Sequence, residues 1–254
     1  MPAGQLLSVQ LWSLRELCEK DRDEALRRVA AFGYTAVEPF RPAEDPEGFR
    51  ALADELGLAV PSVHAGAMIR EAEREEMFEA AKVLGAELAV VPAGIPHEDF
   101  SSPEALDRAA ELLNSIAEAA RPHGLRIGYH NHWWEFEGKV PGPDGEPQFG
   151  LEALADRLDP EVVLEIDTYW AAVGGADVPA LLGRLGDRVA AVHVKDGPLV
   201  KGEPHTALGE GRMPLDEILA ATPADALRVV ELDDCAGGLT GMLNAVEASR
   251  RYFG

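Results

Sequence analysis

The stretch IGYHNHWWEF, residues 127–136, places His130, Asn131, His132, Trp133, Trp134 and Glu135 close together. Imidazole and carboxylate groups at this density can ligate a divalent metal or carry protons. Residues of the same kind recur along the chain, each at the end of a short apolar run. Gln10 and Trp12 close LLSVQLW, Glu38 closes TAVEPF, and His64 closes LAVPSVH. Asp167, Tyr169 and Trp170 end or follow VVLEID. His193, Lys195 and Asp196 end or follow VAAVHV, and Glu231 and Asp233 do the same for LRVVEL. Only ELAVVPA ends apolar, at Val91 and Pro92.

A lone buried histidine is usually satisfied by a neighbouring polar group. A set of histidines and carboxylates gathered at one place is costly, because desolvation and like charges both oppose it. A bound divalent cation removes that cost and acidifies a coordinated hydroxyl or water. Mixed imidazole and carboxylate donors suit Mn²⁺, Zn²⁺, Co²⁺ or Fe²⁺ better than Ca²⁺. The tryptophans Trp12, Trp133, Trp134 and Trp170 all fall at or just past a run and outside the helix-like segments. Flat apolar rings beside polar groups suit the C–H face of a sugar ring.

The elements that must position these residues are legible as a repeat. Eight runs rich in Val, Ile and Leu lie at 6–12, 35–40, 58–64, 87–93, 125–130, 162–167, 189–194 and 227–232. Continuous apolar runs of this kind suit parallel strands buried on both faces. Helix candidates alternate with them: 14–32, 46–57, 70–85, 102–124, then LEALADRL, VPALLGRLG, LDEILAAT and MLNAVEASRRYF. Ser102 and Pro103 form a helix start, and Gly33, Gly57, Gly85 and Gly124 form stops. Eight strands alternating with eight helices predict a single-domain (β/α)8 TIM barrel over residues 1–254. An open doubly wound sheet is the alternative, but no G-x-G-x-x-G follows the first strand. In a barrel, function gathers at the strand C-terminal ends, where the residues above lie.

The net charge of −22 argues against nucleic acid and against an anionic membrane surface. No run approaches the roughly 18 apolar residues of a membrane span. The N-terminal stretch MPAGQLLSVQLW lacks the basic-then-apolar pattern of a signal peptide. Cys18 and Cys235 fit neither a disulfide framework nor a thiolate zinc site, so a reducing, cytoplasmic setting is expected.

With these residues in order, the chain resembles the sugar phosphate isomerase/epimerase group of xylose-isomerase-like barrels. That group includes inosose dehydratases, 3-dehydroshikimate dehydratases and endonuclease IV. The matching pieces run nearly end to end: VQLWSLRE (9–16), GYTAVE (33–38), VPSVHAG (60–66), GYHNHWWEF (128–136), EIDTYWAAVGGAD (165–177), VHVKDG (192–197), LGEGRMPLDEIL (208–219) and VVELD (229–233). The resemblance implies one divalent metal at the barrel mouth, with Mn²⁺ first and Co²⁺, Zn²⁺, Fe²⁺ or Mg²⁺ as alternatives. It implies Asp167, His193 and Glu231 as ligands. The family's strand-five glutamate falls on His130, so either His130 ligates, or Glu135 reaches back, or three protein ligands remain. Trp170 stands where many relatives have a histidine.

The expected activity is isomerisation or epimerisation of a ketose or keto-sugar through α-proton abstraction and an enediolate. Glu231 is the expected base, with His130 or Glu135 as its partner. Trp12, Glu38, His64, His132, Trp170 and Lys195 are expected to hold substrate. LGEGRMP shows no clear phosphate loop, and with the acidic charge this favours a neutral sugar. The alternative is a metal-dependent lyase acting on a keto-inositol or 3-keto-glycoside, favoured by histidine at position 130. A non-catalytic sugar-binding barrel is a third reading. The expected partner is a small sugar, with neither nucleic acid nor membrane. Pairing of copies through outer helices is a family option.

Overall fold

The computed structural model describes residues 6–143 and 145–253. Eight parallel strands form the barrel: β1 (Leu7–Gln10), β2 (Ala36–Glu38), β3 (Ser62–His64), β4 (Leu88–Val91), β5 (Arg126–His130), β8 (Val163–Asp167), β9 (Val189–Val194) and β10 (Leu227–Val230). β6 (Lys139–Pro141) and β7 (Pro147–Phe149) make a separate antiparallel hairpin. Around the barrel the order is β2-β1-β10-β9-β8-β5-β4-β3. The β2/β3 seam is closed by backbone bonds: Val37 N to Ala59 O (2.9 Å), Ala59 N to Thr35 O (3.0 Å) and His64 N to Pro39 O (2.9 Å). The fold is thus the TIM barrel expected from the alternating pattern, and the open-sheet alternative is excluded.

Nine α-helices are present among the described residues: α1 (Arg15–Ala31), α2 (Pro46–Leu56), α3 (Arg74–Leu84), α4 (Pro103–Ala120), α5 (Gly150–Ala155), α6 (Thr168–Val173), α7 (Val178–Leu185), α8 (Leu215–Ala221) and α9 (Gly238–Arg251). Local chemistry explains their ends. Ser102 Oγ accepts the Ala105 N–H at 3.3 Å and Pro103 follows it, as at many helix starts. α4 stops before its expected end because Pro122 has no N–H for the helical ladder, and a 3-10 turn carries the chain to Gly124. α1 is kinked at Asp21, which is extended (φ −161°) and whose carboxylate caps Glu24 N at 2.9 Å. α6 was not foreseen as an element. Asp167 starts it by accepting the Trp170 N–H at 2.8 Å.

Strand alternation decides what enters the barrel. On β8, Leu164 and Ile166 join the large core shared with the helices. Val163 faces inward, where it packs with Leu88, Val90 and Ala191 as a small apolar floor. Glu165 and Asp167 continue the Val163 side two and four residues on, and His193 and Lys195 continue the Ala191 side of β9. The interior is therefore apolar below and polar above. Register then sets the neighbours: His130 pairs with Glu165, Asp167 with His193, and Gln10 with Glu38. A register irregularity on β8 falls at Leu164/Glu165, beside the polar layer.

Candidate metal and acid–base site

The polar groups form two layers. In the inner layer, His64 Nε2 lies 2.6 Å from Glu165 Oε2 and 3.3 Å from Glu38 Oε1. His193 Nε2 lies 2.8 Å from Glu38 Oε1 and 3.1 Å from Glu165 Oε2. His130 Nδ1 lies 3.0 Å from the same Glu165 oxygen. Glu38 is further held by Gln10 Nε2 at 2.8 Å and by the Ser62 hydroxyl. In the outer layer, Lys195 Nζ sits 2.8 Å from Asp167 Oδ2, 2.7 Å from Glu231 Oε2 and 2.8 Å from Asp233 Oδ2. His193 joins the layers, with Nδ1 2.7 Å from Glu231 Oε2.

Burial and neighbouring charge set the protonation states. Burial opposes ionisation of Glu231, but Lys195 and His193 outweigh it and hold the carboxyl well below its ordinary range. Burial likewise opposes the Lys195 ammonium, and Asp167, Asp233 and Glu231 keep it firmly protonated. Asp167 is pushed up to about 6 by burial, with Lys195 pulling the other way. Burial and the nearby His193 lower His130 to about 3, and burial lowers His132 to about 2. The ionised carboxylate and fixed cation lining this cluster are thus Glu231 and Lys195, while His130 and His132 are neutral near pH 7.

A cavity of about 390 Å³ opens above these groups. Its lining combines the polar His64, His130, His132, Lys195, Glu231 and Asp233 with the apolar Trp12, Phe40, Pro92 and Ala93. Trp12, 41% exposed, stands at the rim edge-on to Phe40. Glu38 is fully buried beneath the cavity. Trp170 is nearly buried and donates its indole N–H to Asp233 Oδ2 at 3.0 Å. Trp134 is sandwiched between His97 and His132 (centroids 3.9 and 4.1 Å), and Trp133 packs on Trp170 beneath Lys201. These three indoles buttress the polar wall, and Trp12 alone of the four lines the cavity.

Glu135 is turned to local partners. Its oxygens accept from Tyr129 OH at 2.7 Å and His132 N at 2.9 Å, fixing the exit of β5. Three contributors were not among the expected site residues. Glu165 is one, and its place two residues before Asp167 on the same strand was the signal available for it. Asp233 was visible only as a strand-end residue. His205 accepts the Asp233 N–H at 3.1 Å from a loop position that no spacing rule marks. The LGEGRMP stretch also has a role. Asp196 accepts the N–H groups of Gly197, Gly209, Gly211 and Met213 at 2.8–3.0 Å, tying down the loop that carries His205. A side chain at Gly211 would collide with the Asp196 carboxylate and Gly197 N.

Among the described residues, two fully buried donor sets could hold a metal, His130/Asp167/His193/Glu231 and His64/His130/Glu165/His193, each with its donor atoms within 4.8 Å of one another. The residues present therefore fit a divalent ion: imidazole and carboxylate donors converge, and Glu165 Oε1 is buried with no hydrogen-bond partner. The sequence profile described as "Xylose isomerase-like TIM barrel" matches residues 26–222. The chain belongs to that family. It is 27% identical over 205 residues to an inosose dehydratase of Geobacillus kaustophilus, covering 69% of this chain and 62% of that one. It is 25% identical over 194 residues to a 3-dehydroshikimate dehydratase of Pseudomonas aeruginosa, covering 70% of this chain and 29% of that one. The chain thus spans less than two thirds of the length of either curated relative. A sugar phosphate isomerase/epimerase from Parabacteroides distasonis shares the fold, with TM-score 0.79, 23% identity and coverage of 98% of this chain and 93% of that one. Among the described residues, no helix is long and apolar enough to cross a membrane.

Proposed function

We propose that this family member is a lyase that removes water from a cyclic keto-polyol of the inosose type. The observation that carries the reading is an asymmetric pair at the cavity: the Glu231 carboxylate 2.7 Å from the Lys195 ammonium, with the neutral imidazole of His130 on strand β5. A divalent ion held by Asp167, Glu231, His130 and His193 would polarise the substrate carbonyl and acidify the α-hydrogen. Glu231, ionised, removes that α-proton. Lys195 holds the developing enolate oxygen with a charge-assisted hydrogen bond. Glu231 then returns its proton to the departing β-hydroxyl, so water leaves and a conjugated ketone remains, without net redox change. His64 and His132 line the path for substrate hydroxyls, and Trp12 with Phe40 offers an apolar face to the ring. The names of the relatives in inositol and shikimate chemistry support elimination.

Isomerisation or epimerisation shares the proton abstraction and is the second reading. It is favoured by Asp167, a carboxyl held near neutrality that could serve as a second proton carrier. The experiment is incubation of the purified, Mn²⁺-supplemented protein with inosose and 3-dehydroshikimate in D₂O, followed by mass spectrometry. A product lighter by one water supports the lyase. Deuterium incorporation without loss of water transfers the assignment to isomerisation, and no change in either substrate refutes the proposed substrate class.

A further inference from the structure

In the cavity wall, Asp233 is held from three directions. Its Oδ2 accepts from Lys195 Nζ at 2.8 Å and from Trp170 Nε1 at 3.0 Å. Its backbone N–H donates to His205 Nδ1 at 3.1 Å. Among the described residues, no group hydrogen-bonds the other carboxylate oxygen, Oδ1. Asp233 lines the cavity and its side chain is 29% exposed, so Oδ1 is the atom left to meet a ligand. We propose that Asp233 is the specificity-determining residue of this cavity: Oδ1 accepts a hydroxyl of a ring ketone, and the carboxylate charge turns away ring ketones that carry an anionic group. This role rests on the cavity holding a cyclic keto-polyol, as proposed above.

Rigidity is the first support. The Trp170 indole that grips Oδ2 is nearly buried, and its ring packs on Trp133, Tyr169 and His205 (centroids 4.9, 5.3 and 5.7 Å). His205 is itself buried, on the loop that Asp196 ties down. An acceptor fixed in this way binds a hydroxyl without first losing rotamer freedom.

Charge is the second. Among the described residues lining the cavity, Lys195 is the only lysine or arginine. An ammonium has three N–H donors, and Asp167, Glu231 and Asp233 stand within 2.8 Å of this one. Asp167 and Glu231 would offset a divalent ion held beside them, and Asp233 then still matches Lys195. His64 Nε2 is turned to Glu38 and Glu165. Arg15 and Arg41 lie 4.8 and 5.2 Å from the ring centres of Trp12 and Phe40, but neither lines the cavity. Arg15 donates to the Trp12 carbonyl, and Arg41 pairs with Glu19 and Glu44. A carboxylate on a bound ring would meet Asp233 and Glu231 with no unmatched cation to answer it.

The rest of the lining suits an uncharged ring. Trp12, Phe40, Pro92 and Ala93 offer apolar contact to its C–H groups. Discrimination then comes from repulsion as well as attraction. A hydroxyl gives its proton to Oδ1, whereas a carboxylate in the same place has no proton to give and adds a like charge.

A matched pair of rings tests this. Mn²⁺-supplemented wild type, Asp233→Asn and Asp233→Ser are titrated by calorimetry with uncharged inosose and with anionic 3-dehydroshikimate, at low and at high salt, and product is measured in parallel. Asparagine keeps an oxygen for Lys195 and Trp170 while removing the charge and the free acceptor. Circular dichroism establishes which variants fold; either suffices, and the wild-type arm needs neither. Wild type is expected to bind inosose about tenfold or more tightly than 3-dehydroshikimate, with the gap narrowing as salt rises. A folded variant is expected to bind inosose about tenfold more weakly and 3-dehydroshikimate no more weakly than before, so that the preference and its salt dependence both collapse. Equal binding of the two rings by wild type, an unchanged preference in the folded variants, or no binding of either ring overturns the role of Asp233. Selective binding of inosose without loss of water leaves that role standing and sinks the lyase, whereas loss of water from both rings without selection does the reverse.

Discussion

Replacing Lys195 by Met removes one charge and leaves three carboxylates facing its place. At 2.8 Å and an effective dielectric near 20, each ion pair has a Coulomb energy of about 6 kcal/mol before desolvation is counted. Asp233 can turn to solvent, since its side chain is 29% exposed, but Asp167 and Glu231 cannot. Breaking such a buried set by deleting one partner costs about 3–5 kcal/mol, and that is the expected deficit of metal-free Lys195→Met near pH 8. The sign of its pH dependence follows from linkage. In wild type, the depressed Glu231 contributes stability above its ordinary pKa of 4.5, lost as pH falls through its lower folded value. Asp167, raised from 3.8 to about 6, has the opposite sign: its contribution is full below 3.8 and lost as pH rises through about 6. Without Lys195 both carboxyls move upward. Each one whose folded pKa rises above 8 recovers up to about 3 kcal/mol between pH 8 and pH 5.5. The assay is urea unfolding in EDTA at those two pH values, with the slope compared between proteins. A deficit below about 1 kcal/mol at pH 8, or one that grows towards pH 5.5, refutes the assignment of Lys195 as the central cation.

Other outcomes follow from the same geometry. Glu231→Gln should lower kcat by about 10²–10⁴ while leaving substrate affinity within about threefold; undiminished turnover would remove Glu231 as the base. Tyr129→Phe deprives the buried Glu135 of one of its two partners and should cost about 1–3 kcal/mol in chemical unfolding. Its kcat should stay within about threefold, and a collapse of kcat at unchanged stability would place Glu135 in the chemistry instead. Gly211→Ala should break the Asp196 clamp, lowering stability by about 1–3 kcal/mol and opening the 197–213 loop to limited proteolysis. Wild-type resistance of that loop would count against the clamp.

Much of this architecture was legible in residue order. The eight runs became the eight barrel strands because both faces of a parallel barrel strand are buried, so the runs carry almost no polar interruption. Ser102–Pro103 and the glycines at 33, 57, 85 and 124 marked helix ends through local backbone chemistry alone. Asp167, His193, Lys195 and Glu231 stood out because polar residues at the ends of apolar runs need a reason. The β6–β7 hairpin has no counterpart among the eight runs, because glycines and prolines interrupt its two short segments.

Tertiary structure decided the rest. Whether Glu165 faces the interior or the helices depends on the phase of β8, and a shift of one residue reverses it. That phase is fixed by pairing with β5 and β9, which sets Glu165 beside His130 and Asp167 beside His193. Trp133, Trp134 and Trp170 looked like a sugar platform in sequence, but in three dimensions they pack on one another and on histidines behind the wall. Lys195 meets Asp167, Glu231 and Asp233 only because three strands converge at the barrel mouth. Composition and periodicity are local and fixed the strands, the helices and the kinds of chemistry available. Which charges meet is a property of barrel closure and register, and these act between residues far apart in the chain.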